Sequence, residues 1–127
     1  MKKAVLLLGF AFLASLVVEV YSAEKSVTLE GTLVDSKCYL MDTKFAGNDH
    51  GTVKHCGTLC LKGGTPGALL TNDKKFYPIL APSLVLAPYV GQTIRVTGTI
   101  VSGAISADKV EINKNGKWQA LDLGPMM

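Results

Sequence analysis

The sequence predicts a small all-β domain: five strands closed into a barrel, one short helix before the fourth strand, and a cysteine- and histidine-bearing insertion after the first. Three observations lead there. Apolar and polar residues alternate with a period of two from Val27 to Ser36, from Gln92 to Val101 and from Ile105 to Ile112. Turn-forming pairs, Asn72-Asp73, Ser102-Gly103 and Asn115-Gly116, punctuate those stretches. The one compact apolar run without alternation, Ser83 to Val90, follows Pro82 and contains Pro88, so it allows no more than one or two helical turns.

The chain opens on a leader. Lys2 and Lys3 supply a positive start, Ala4 to Val18 is apolar except for Gly9 and Ser15, and small residues at Ser22 and Ala23 suit a peptidase. We therefore expect residues 1–22 to be a removable signal peptide and residues 23–127 to be one domain. The apolar run stops at Glu19, short of the ~20 residues needed to span hydrocarbon. An uncleaved anchor is the rival expectation. No cysteine follows closely enough for a lipid anchor.

The first strand runs from Val27, with Leu29, Gly31 and Leu33 on one face, and ends near Cys38. Residues 41–51 are turn-rich and read as an excursion. Thr52 to Leu61 then forms a short helix, stopped by Gly63-Gly64. Gly67 to Thr71 and Lys75 to Leu80 make a hairpin around Asn72-Asp73, and Pro78 puts the second arm at an edge or a bulge. The short helix follows Pro82. Gln92 to Val101 and Ile105 to Ile112 form a long hairpin, and Asn115-Gly116 turns the chain into a last strand from Lys117 to Leu121.

Long strand, excursion, hairpin, short helix, long hairpin is the order of an OB-fold, a five-stranded Greek-key barrel with its helix between the third and fourth strands. In the segments VTLEGTLVDSKC, PSLVLAPYVGQTIRVTGTI and ADKVEI the chain resembles the small exported bacterial OB-fold proteins. The resemblance covers most of residues 23–127 and implies the barrel. Members of that family share no single activity, so it does not imply a function. The excursion occupies the first loop, where OB-folds often bind ligands.

Composition narrows the partners. The chain has 13 basic and 10 acidic residues; loss of Lys2, Lys3 and Glu19 with the leader leaves eleven against nine, a net charge of +2. Arg95 is the only arginine, so clustered guanidinium forks for phosphate are absent and nucleic acid is not an expected partner. A metal ion or a partner protein is. Removal of the leader leaves no stable membrane anchor, and the expected location is periplasmic or secreted.

The chemistry-bearing residues are concentrated in the excursion. Cys38, Cys56 and Cys60 are all the cysteines, and His50 and His55 both the histidines. Three cysteines cannot all pair within one molecule, so at least one is a free thiol, a metal ligand or an intermolecular link. Cys56 and Cys60 lie four apart, on one helix face with Cβ atoms about 5–6 Å from each other. A disulfide wants about 3.8 Å, which favours convergence on a metal or a bridge back to Cys38. Three thiolates and an imidazole suit tetrahedral zinc or copper(I). The expected ligands are Cys38, Cys56, Cys60 and His55, with His50 in reserve.

Two other readings use the same residues. A disulfide from Cys38 to Cys56 or Cys60 would pin the excursion to the first strand, contributing roughly 3 kcal/mol for a loop of about twenty residues. A thiol oxidoreductase would use Cys56 and Cys60, but the chain has no C-x-x-C, and it has no C-x-x-C-H for haem. Other features carry less. Lys62 to Gly67 lacks the Lys-Ser/Thr ending of a phosphate loop, and Asp35, Asp42 and Asp49 lack calcium-loop spacing. Phe76, Tyr77, Tyr89 and Trp118 read as core rings. Met41, Met126 and Met127 are soft donors available to copper. With no nucleophile–base pair visible, the expected role is binding, delivery or sensing of copper or zinc, not turnover.

Overall fold

The computed structural model describes residues 24–125. The expected signal peptide and the terminal Met126 and Met127 lie outside the described residues. Six strands form one sheet: β1 (Ser26–Asp35), β2 (Gly67–Thr71), β3 (Phe76–Leu80), β4 (Thr93–Val101), β5 (Ala104–Lys114) and β6 (Lys117–Ala120). Their order is β3-β2-β1-β4-β5-β6, and a parallel pairing of Ile79 with Ile105 and Leu80 with Ser106 joins β3 to β5. That pairing closes β1 to β5 into the OB-type barrel, and β6 is an added strand on β5. No described helix is long and apolar enough to cross a membrane.

The alternation read from the sequence is the inside–outside alternation of the barrel. Leu33, Leu69, Ile79, Ile94, Val96, Ile105, Val110 and Ile112 fill the interior. β4 changes register against β5 between Thr97 and Gly98. Gly98 is needed there because a Cβ would collide with the Ser106 carbonyl oxygen. Pro78 lies in the part of β3 that pairs with β2 alone, as its missing N–H requires. Asn115 and Gly116 both have positive φ, 52° and 81°, as a type I′ turn demands.

The insertion holds two helices, where the sequence suggested one. The first, α1 (Ser36–Met41), starts immediately after β1, so Cys38 sits in a helix and not at a strand end. Asp35 causes the switch: its Oδ1 accepts from the Lys37 N–H at 3.0 Å, capping the new helix. The second, α2 (Cys56–Lys62), begins four residues later than expected. Backbone bonds between His50 and Val53 hold the approach in a tight bridge, and His55 adopts the left-handed conformation, φ 53°. After β3, α3 (Ser83–Leu86) runs into a 3-10 turn over Ala87–Tyr89, where Pro88 ends the α-helical pattern.

The insertion is packed into the barrel by both faces of its neighbouring strands. All five residues of β2 are buried, because Leu69 faces the interior while Ala68 and Leu70 join Val34 and Tyr39 in a second cluster on the outside. Tyr39 of α1 stacks on Phe76, ring centroids 5.6 Å apart. On the interior side Leu61 of α2 meets Leu33 and Leu86 over Gly67. Both helices are thereby fixed relative to β1, and with them the cysteines.

Candidate metal centre

Asp35, Cys38, His50, Cys56 and Cys60 come from four local elements: the end of β1, α1, the loop between the helices, and α2. Each is held separately. Cys38 occupies the first turn of α1, which Asp35 caps and Tyr39 anchors. His50 is 7% exposed. Its ring lies against Phe45, centroids 4.9 Å apart, and its Nε2 is 3.0 Å from the Gly47 carbonyl oxygen.

Cys56 and Cys60 share a face of α2, whose start is organised by Asn48. The Asn48 carbonyl accepts from Gly57 N–H at 3.0 Å, and its side-chain oxygen from Thr58 N–H at 2.8 Å. Two of the unpaired donors that begin any helix are satisfied in this way. The Thr58 hydroxyl donates to the Ala87 carbonyl at 2.8 Å, tying α2 to the 3-10 turn. Gly57 permits the close approach, since a Cβ there would stand 2.5 Å from the Val90 side chain.

The donor atoms fall into two triads. One ligand atom each from Cys38, His50 and Cys56 lie within 4.8 Å of one another, and so do atoms from Asp35, Cys38 and Cys60. Cys38 belongs to both. The three cysteines are free thiols, and their side chains are close enough to His50 and Asp35 to hold a metal ion.

The imidazole in the cluster is His50, the residue held in reserve, and not His55. His55 is exposed, and its backbone N–H donates to Asp49 Oδ1 at 2.8 Å. Its ring lines a shallow hollow with Gly47, Asn48, Asp49 and Gln92. His55 is the left-handed residue that precedes α2, and despite its adjacency to Cys56 it belongs to neither triad. The described Met41 side chain is 77% exposed.

Two observations test whether these residues suit a metal. A carbonyl oxygen only accepts, so His50 Nε2 carries a proton and donates to Gly47, and in a neutral ring that tautomer leaves the Nδ1 lone pair for a metal. That arrangement, one ring nitrogen donating to the backbone and the other free, is the usual support of a ligating histidine. Moreover, Asp35 Oδ2 and His50 Nδ1 are the only buried side-chain N or O atoms among the described residues without a hydrogen bond of full geometry, Asp35 being approached by the Cys38 and Cys60 thiols, which are weak donors. Buried orphans of this kind typically cost ~1–3 kcal/mol each, and a cation at the cluster would partner both. The residues fit.

Cys38 and Cys60 are protonated in the metal-free protein. Burial pushes Cys38 up to about 12, with the neighbouring Asp35 carboxyl as the next cause, followed by Cys60 and Cys56. Cys60 is pushed up to about 11, again by burial first and Asp35 second, with Cys56 adding to it. Asp35 matches no calcium loop in its spacing, so the sequence does not mark it as a ligand. Its partner Cys38 three residues on, across a strand-to-helix switch, was the only local signal. No protein-family model, curated protein or solved structure matches this chain.

Proposed function

We propose that this protein is an exported binder of a soft metal ion, copper(I) or zinc, acting in binding, delivery or sensing through Cys38, Cys56 and His50, with Cys60 alongside. The observation that carries the reading is the buried, unpartnered Nδ1 of His50 beside two free thiols. Two thiolates and an imidazole match both ions in softness.

The test is titration of the reduced protein with zinc and, anaerobically, with copper(I). Cys56→Ser and His50→Ala should each weaken binding at least tenfold, while His55→Ala leaves it unchanged. Absence of binding by the wild type would refute the proposal. A His50→Ala protein that binds as well as the wild type would refute the ligand assignment.

A second reading is favoured by the placement of Cys38, whose sulfur lies within reach of both Cys56 and Cys60. In an oxidising compartment one disulfide from Cys38 would staple the insertion to β1 and leave one thiol. The protein would then be a binding module for a partner protein or small ligand. Thiol counting on protein from its native compartment separates the readings: one free thiol and no metal supports the disulfide, three and a bound metal the centre.

A further inference from the structure

Resting on that metal-binding reading, we propose that the cluster is a dinuclear site: two divalent ions of the zinc type, bridged by the Cys38 thiolate. One ion is held by Cys38, His50 and Cys56, the other by Cys38, Asp35 and Cys60.

The donor geometry separates into two positions. Five donors converge, yet they group as two triads that share only Cys38, not as one set of four or five. A thiolate sulfur has lone pairs enough to serve two ions at once. Each triad also contains one of the two residues that bear a buried polar atom without a hydrogen bond of full geometry, His50 with its Nδ1 in one and Asp35 with its Oδ2 in the other. A single ion bound by the first triad partners the imidazole and leaves Asp35 with no better partner than the weakly donating Cys60 thiol, although that residue is fully buried.

Charge points the same way. With metal bound, Cys38, Cys56 and Cys60 have released their protons to solvent, and with the Asp35 carboxylate they make four negative charges around one partly buried point. One divalent ion leaves two of them uncompensated; two divalent ions neutralise the site. Uncompensated buried charge is costly. The donor set agrees with the choice of ion, because the carboxylate oxygen in the second triad suits zinc and its divalent analogues better than copper(I).

Asp35 offers a discriminating variant. Its Oδ1 caps α1 through the Lys37 N–H, a role that asparagine performs equally well. Asp35→Asn therefore keeps the helix cap and removes the anionic donor, and far-ultraviolet circular dichroism checks that the fold is retained. The experiment titrates the reduced, full exported protein with Zn2+ and with Co2+, read by native mass spectrometry and by the electron paramagnetic resonance of cobalt.

The expected result is two ions per chain, with the cobalt signal attenuated as the second ion enters, since a shared thiolate couples the two spins. Asp35→Asn and Cys60→Ser should each reduce the stoichiometry from two to one and restore the full signal of the remaining ion. One ion per chain in the wild type would overturn the dinuclear proposal and leave the metal-binding function standing. Two ions with undiminished signals would overturn the bridge. No ion at all would overturn the metal-binding reading itself.

Discussion

Acidification should release metal from this protein far more steeply than from a site whose ligands are already ionised. Burial, reinforced by the Asp35 carboxyl, pushes Cys38 up to about 12 and Cys60 up to about 11. Both thiols are therefore neutral in the metal-free protein throughout the physiological range, and a metal that binds them must displace both protons. Displacing the protons of these two thiols alone makes the apparent affinity fall by at least about a hundredfold per pH unit, so zinc binding should weaken by at least roughly ten-thousandfold from about pH 8 to about pH 6. The assay is competition against a metallochromic chelator whose own proton affinity is known at each pH. Cys60→Ser should reduce the slope by about one proton. A wild-type slope below one proton per ion would refute the reasoning. The metal-free fold should show the opposite sensitivity. A thiol held above its ordinary value of 9.0 stabilises the fold while the unfolded thiol is still protonated, and that contribution is lost as pH rises beyond about 9 toward the folded values.

Two further outcomes concern the scaffold. Leu61→Ala empties a fully buried position where α2 meets Leu33 and Leu86, and should cost about 2–5 kcal/mol in urea denaturation of the metal-free protein; a loss below about 1 kcal/mol would show that α2 is not seated in the core as described. Arg95 stacks 4.2 Å from the Trp118 ring and bonds Glu111 at 2.9 Å, with Glu30 at 3.6 Å. Arg95→Ala should lower the melting temperature and shift Trp118 fluorescence. The Arg95 hydrogen bond holds Glu111 below its ordinary value of 4.5, so the wild type keeps this stabilisation above that pH and loses it as pH falls, whereas the variant should lose less on acidification. A variant whose acid unfolding matches that of the wild type would remove Arg95 from this role.

The barrel was legible because its signals are local. Val27 to Leu33 and Ile94 to Val96 alternate visibly, Asn115-Gly116 marks a turn by its chemistry, and Pro82 and Pro88 bracket a helix too short to be anything else. Where alternation fails, the reason is a second layer. Leu33, Val34 and Asp35 are all buried because the insertion covers the outer face of β1 there while the core covers the inner one. The insertion was partly legible. Cys56 and Cys60 could be placed on one helix face from their spacing, but α1 could not be seen, since the capping of its first turn by Asp35 is visible only once β1 ends there. Asn48, which organises the start of α2 from ten residues upstream of Thr58, left no sequence signal of that role.

By itself the sequence determined the all-β class, the positions of most strands and turns, and the gathering of every cysteine and histidine into one excursion. Those properties depend on neighbours a few residues apart, where periodicity and turn chemistry act. The tertiary structure alone decided which donors meet. It selected His50 over His55, although His55 adjoins Cys56, because the loop folds His50 inward against Phe45 and leaves His55 exposed. It also brought Asp35 to Cys38 and Cys60, because β1 and α2 are packed together through Leu33 and Leu61. Ligand convergence is a property of packing between elements, and packing is set by the whole core, not by spacing along the chain.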